Sequence, residues 1–229
     1  MIIPFHDDNP LSLIPFQLST FLIIGLCSLV FLVEIFLVDG VGFVAAQMGV
    51  VPAEIMSGES CWPDTCRLPQ VFTLLTNIFV HAGWLHFLGN MLFLWVFGDN
   101  VEDSMGHIRF LVFFLICGFF ASLTHVLFNM DSTNSMIGAS GAIAGVMGAY
   151  LILHPKVKVW VLVLLRIPIR LPARIVLLAW VAFQFLAVAN NSSGNVAVWA
   201  HIGGFAAGVV LIPFFKYREI PLFDRGTSH

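Results

Sequence analysis

A chain of 229 residues that is 59% hydrophobic and only 10% charged, with a mean hydropathy of +0.95, is not an ordinary soluble domain, which averages roughly 25% charged residues. Its formal net charge of -3 gives no sign of a nucleic-acid partner. The composition is that of a polytopic membrane protein, in which a span needs about 20 mainly apolar residues.

The first apolar run, about Leu18–Val38, follows "MIIPFHDDNP". That flank lacks the basic start of a signal peptide, so the run reads as a retained helix, with Glu34 inside it and residues 1–17 as a short tail. A long loop, 39–75, follows and contains Cys61 and Cys66 in "CWPDTC". A second span of about Trp84–Phe97, beginning near Thr76, opens with "HAGWLHFLGN". Here His86 and Asn90 lie four apart and share a helix face, with His81 just before them. A metal would be a poor fit to His81 and His86, because five-residue spacing suits helical geometry badly and no acid or cysteine stands near.

Four more spans are expected at about Phe110–Phe128, Gly138–Leu153, Ile175–Val188 and Ala197–Phe215. Between the fourth and fifth, "VWVLVLLRIPIRLPAR" is apolar but broken by prolines and arginines, and reads as an interfacial connector rather than a seventh span. Residues 216–229 form a second tail. Six spans put both termini on one side, together with the loops at 103–109 and 154–174. That side holds Arg109, Lys156, Lys158, Arg166, Arg170, Arg174, Lys216, Arg218 and Arg225, nine of the ten basic residues. The positive-inside rule makes it cytoplasmic. Loop 39–75 then lies outside, where the compartment permits a Cys61–Cys66 disulfide, with two free thiols or a metal site shared with His81 as the alternatives; Cys27 and Cys117 read as packing residues.

Polar side chains within a bilayer are costly and invite a functional reading. Ser140 stands 14 residues before His154, or about 21 Å along a helix, so a helix anchored at the cytoplasmic face leaves it submerged in a core of about 30 Å. A small residue easing helix packing is the competing reading. His201 reaches a similar depth in "VWAHIGGFAAGVV" and could equally be a proton relay or a structural histidine. Gly141 and Gly145 on one helix, and Ala200, Gly204 and Gly208 on the other, provide narrow faces that allow close approach. Nucleophile, base and oxyanion donors are the parts acyl transfer needs. No carboxylate among Glu34, Asp99, Glu102, Asp103 and Asp131 clearly shares the depth of Ser140 and His201, which favours a dyad over a triad. "GASGA" lacks the last glycine of the G-x-S-x-G elbow, so an α/β-hydrolase is excluded.

These residues resemble the rhomboid intramembrane serine proteases across nearly all of residues 18–215. The motifs are Gly138-Ala139-Ser140-Gly141; His81 followed by His86-Phe87-Leu88-Gly89-Asn90; Ala200-His201-Ile202-Gly203-Gly204, continuing to Gly208; and Gly98, Glu102 and Gly106. The resemblance implies an all-α, six-helix membrane bundle, N-in and C-in, spanning 18–215 with an outward-facing cavity. Ser140 would be the nucleophile and His201 the base and later the acid. The Ser140 N–H with His86 and Asn90 would bind the oxyanion. Gly138, Gly141, Gly145, Gly204 and Gly208 would serve helix packing, and Glu102 and His81 would be structural. The loop at 189–196 with part of the fifth helix would gate entry of substrate. Neither cofactor nor metal is implied. The expected partners are transmembrane protein substrates and membrane lipid, and the expected location is a prokaryotic plasma membrane.

Two departures stand out. Pro69-Gln70 replaces the family's Trp-Arg before Phe72-Thr73, leaving the anchoring of loop 39–75 open. Ala144 replaces the aromatic that some members stack on the histidine. A rhomboid-like protein that binds transmembrane helices without cutting them is the main rival reading. A transporter with a histidine proton path would favour more intramembrane carboxylates than Glu34 alone.

Overall fold

The computed structural model describes residues 2–36, 41–59, 69–163, 166–190 and 197–223. The Cys61–Cys66 pair falls outside these residues. In chain order the elements are β1 (Ile2–Asp7), α1 (Leu18–Phe36), α2 (Val41–Met48), α3 (Pro52–Ser57), α4 (Gln70–Thr76), a 3₁₀ turn (Asn77–Phe79), α5 (Trp84–Met105), α6 (His107–Phe128), α7 (Ser140–Leu153), β2 (Lys158–Val163), β3 (Ile167–Pro172), α8 (Ala173–Ala189) and α9 (Val198–Phe215).

The protein is mostly helical and spans the membrane. Among the described residues three helices, α1, α6 and α9, are long and apolar enough to cross a bilayer by themselves. A fourth candidate is the pair Gln70–Phe79 and Trp84–Met105, bent by 81° at the break. The expected smooth entry into the second span from Thr76 is therefore corrected. The chain turns sharply there, and Gly83 starts α5 with φ 155°. α7 and α8 are shorter apolar helices.

The all-α expectation also needs correcting. The proline-broken connector is an antiparallel hairpin, β2–β3, and β1 joins it to give the order β1-β2-β3. Val159 and Val161 are fully buried while Lys158 is exposed, the two-residue period of a strand with one covered face. Pro4, Pro168 and Pro172 all sit in the outer strands, where a missing N–H breaks no central ladder. Asp8 and Arg170 form an ion pair across the sheet, and the Arg170 guanidinium lies 4.8 Å from the centre of the Trp160 ring.

α7 occupies the middle of the bundle: every residue from Gly141 to Tyr150 is buried, as a helix apolar all round requires. It packs chiefly on α9 and α6. The contact with α9 has no room for side chains, since a Cβ at Gly204 would fall on the Gly141 carbonyl and one at Gly208 on the Gly145 carbonyl.

Carboxylates tie the end of α5 to the chain before and within α1. Glu102 accepts bonds from the Ser19 and Thr20 backbone N–H groups (2.8 Å each), the Thr20 hydroxyl (2.7 Å) and the His107 ring (2.6 Å). It thereby satisfies donors that a helix start leaves orphaned. Asp103 does the same for the turn before α1, accepting from the Ser12, Leu13 and Ile14 N–H groups and the Ser12 hydroxyl.

The long loop is anchored without the Trp-Arg pair. Val50 and Met136 exchange backbone bonds of 3.0 and 2.7 Å, Ala53 N–H donates to the Ser132 carbonyl, and the Thr76 hydroxyl donates to the Met48 carbonyl. Pro69 begins α4.

Candidate active site

Ser140 is the first residue of α7, placed there by a turn at Gly138 whose φ of 122° lies in a region that side-chain-bearing residues avoid. His201 stands in the first turn of α9 and is buried. The glycine contact between these helices brings their polar groups together, and the His201 Nε2 lies 2.8 Å from the Ser140 Oγ.

The other imidazole nitrogen, Nδ1, is 2.9 Å from the Oε1 of Gln184 on α8. No carboxylate takes that place: the Glu34 carboxyl meets the His81 backbone N–H at 3.4 Å. Trp180, one turn before Gln184, places its ring 5.4 Å from the His201 ring, centre to centre. The aromatic cover expected after Ser140 and missing at Ala144 thus comes from α8. Sequence reasoning passed over both Trp180 and Gln184. The available signal was a glutamine in an otherwise apolar helix, four residues after a tryptophan and so on the same face.

His86 and Asn90 converge on the Gly138 turn from α5. A Cβ at Gly138 would meet the His86 Nε2 at 2.7 Å and the Asn90 Nδ2 at 3.8 Å. The Ala82 N–H donates to the His86 Nδ1 at 3.2 Å, so Nε2 carries the ring hydrogen and faces the turn as a donor. The Asn90 amide nitrogen is buried with no partner, a donor in want of an acceptor. With the free N–H at the start of α7, three donors surround the serine.

His81 is fully buried, with its Nδ1 3.2 Å from the Phe79 carbonyl and its ring edge-on to Phe31 and Phe87. It lies behind the site, not in it. Beside Ser140 is a small cavity of about 10 Å3, whose walls include Ile78, Gly118, Ser122, Met136, Gly141 and Ala200. Among the described residues no three His, Cys, Asp or Glu side chains converge as a metal ion would require.

Comparison with known proteins places the chain in a family. A "RHOMBOID-like protein 6, mitochondrial" of Arabidopsis thaliana is 31% identical over 153 residues, covering 66% of this chain and 45% of that protein. A "Rhomboid protein 1, mitochondrial" of Saccharomyces cerevisiae is 32% identical over 148 residues, 60% of this chain and 40% of that protein. A Bacillus subtilis relative whose name proposes a rhomboid protease is 31% identical over 140 residues, 60% of this chain and 64% of that protein. The chain spans less than half the length of the plant and yeast relatives. The rhomboid domain model matches residues 68–218, a stretch that runs from the bent entry of α5 to the end of α9 and takes in both Ser140 and His201. On that match, the chain belongs to the rhomboid family.

Proposed function

We propose that this protein is an intramembrane serine endopeptidase that cleaves the transmembrane segments of single-span proteins through a Ser140–His201 dyad. The observation that carries the reading is the 2.8 Å contact between the serine hydroxyl and the His201 Nε2, inside a ring of unspent donors. The Ser140 Oγ attacks the scissile carbonyl as His201 takes its proton. The Ser140 N–H, the His86 Nε2–H and the Asn90 Nδ2–H bind the oxyanion. His201 returns the proton to the leaving amine, and water then releases the acyl group by the same route. The cavity beside Ser140, closed in by Ile78, Met136 and Ile137 as well as by glycine and alanine, leaves room for no more than a small side chain before the scissile bond.

The bundle has six spans, α1 and α5 to α9, with both ends in the cytoplasm. Backbone bonds at one end of the bundle favour this: Asp8 N–H donates to the Lys158 carbonyl, Tyr217 N–H to Ser104 and Phe223 N–H to Ile152. They gather residues 2–8, the end of α5, the hairpin and the chain after α9 at the end opposite Ser140, and most of the basic residues lie there. The active site therefore opens to the outer face. The mitochondrial names of two relatives give no support to the expectation of a prokaryotic plasma membrane.

The test uses full-length protein in liposomes with a tagged single-span substrate, comparing wild type with Ser140→Ala and His201→Ala. Cleavage by wild type alone is expected. Cleavage that survives Ser140→Ala would sink the mechanism. If no variant cleaved any of several substrates and all bound them, the helix-binding reading would replace it.

A further inference from the structure

We propose that Gln184 is a positioning residue for the base: its side-chain carbonyl holds His201 in the tautomer that leaves Nε2 free to take the serine proton. The inference rests on the dyad reading above.

A neutral imidazole has one donor and one acceptor, and the partner of one nitrogen decides which is which. The Gln184 amide orientation is set locally, because its Nε2 donates to the Trp180 carbonyl at 3.4 Å within α8. That leaves Oε1 facing the His201 Nδ1 at 2.9 Å. An amide oxygen only accepts, so Nδ1 carries the hydrogen and Nε2 presents its lone pair to the Ser140 hydroxyl. In the other tautomer Nε2–H would point at Ser140 and could not accept its proton. Serine hydrolases with a triad assign this task to a carboxylate. Here a neutral amide does it, which spares the buried site a second charge.

α8 suits the role of an outrigger. Of its residues only Ala173 and Leu177 are fully buried, and its second half meets α9 through Trp180 and Gln184. Trp180 stands over the imidazole and Gln184 fixes its proton, so both contacts come from one face of one helix.

The test compares wild type, Gln184→Leu and Gln184→Glu as full-length protein in liposomes with the tagged single-span substrate. The leucine has similar bulk and no acceptor; the glutamate keeps an acceptor oxygen at the same reach. In parallel, 15N spectra of histidine-labelled protein report the tautomer of His201, whose signals are identified by their loss in His201→Ala. Gln184→Leu is expected to lower kcat about tenfold, the worth of one good hydrogen bond, with KM within about twofold of wild type. Its His201 should shift towards the Nε2–H tautomer, and Gln184→Glu should restore both properties. A Gln184→Leu protein with wild-type kcat, or with His201 still protonated on Nδ1, would overturn the proposal. So would equal losses in the Leu and Glu variants. If Ser140→Ala and His201→Ala still cleave, the dyad reading fails instead, and the spectra still decide whether Gln184 sets the tautomer.

Discussion

Replacing Gly208 by alanine tests whether the α7–α9 contact sets the geometry of the dyad. The added methyl carbon would stand 2.6 Å from the Gly145 carbonyl carbon and 2.7 Å from its Cα, where carbon atoms normally keep about 3.5–4.0 Å. Backbone cannot swing aside as a side chain can, so the helices must part by about 1 Å. Gly208 lies seven residues from His201, roughly two turns along the helix, and touches no reacting group. If the separation carries through, the 2.8 Å contact of Ser140 with His201 stretches past hydrogen-bonding range. A misplacement of about 1 Å can cost 10²-fold in rate, and overpacking of this kind costs about 1–3 kcal/mol in stability. The assay is kcat for the tagged substrate in liposomes, with thermal unfolding measured alongside. Gly25→Ala is the control, because a Cβ there has nothing within 4 Å. A folded Gly208→Ala protein cutting within about threefold of wild type would refute the argument that this contact positions the dyad.

Three further outcomes are expected. Asn90→Ala should lower kcat by about 10²-fold with little change in stability, since the amide nitrogen it removes has no protein partner to lose; a change confined to KM would argue against an oxyanion role. Glu102→Ala strands the donors at the start of α1 and should cost about 3 kcal/mol, read as a lowered unfolding midpoint, whereas an unchanged midpoint would show the cap to be idle. Asp7 is buried, which pushes its carboxyl up from 3.8 to about 6, with the neighbouring Asp8 adding to the rise and the hydrogen bond from Tyr150 opposing it. The native state then holds the proton more tightly than the unfolded chain, so this contribution is full below about pH 4 and is lost as pH rises through 6. The loss amounts to about 3 kcal/mol. Asp7→Asn should flatten that part of the profile and raise stability above pH 7, as thermal unfolding across pH 4–8 would reveal; a wild-type protein that gained stability over that interval would contradict the sign.

Much of the site was legible because membrane burial makes polar residues conspicuous. Ser140, His201, His86 and Asn90 each stood out as polar groups in apolar segments, and glycines at spacing four marked the helices that meet. The segment at 158–172 reads as a connector and not as a span, but its two strands went unforeseen for a related reason: in a very apolar chain, alternation between Val159, Trp160 and Val161 is masked, since both faces of the strand carry hydrophobic residues. The bend before Trp84 was hidden because hydropathy continues unbroken from Thr76 through the turn.

Composition, span lengths and the order of the motifs were therefore enough to establish a membrane-embedded rhomboid and to name the residues around its serine. These are one-dimensional properties, fixed by solvent preference and by local helix periodicity. Which group supports His201 was not of that kind. Gln184 and Trp180 lie 17 and 21 residues before it, on a helix whose rotation is set by its packing against α9, and no local rule says which face of an apolar helix will meet its neighbour. Ala144 gave notice only that the support had to come from elsewhere, and the tertiary structure decided that it comes from α8.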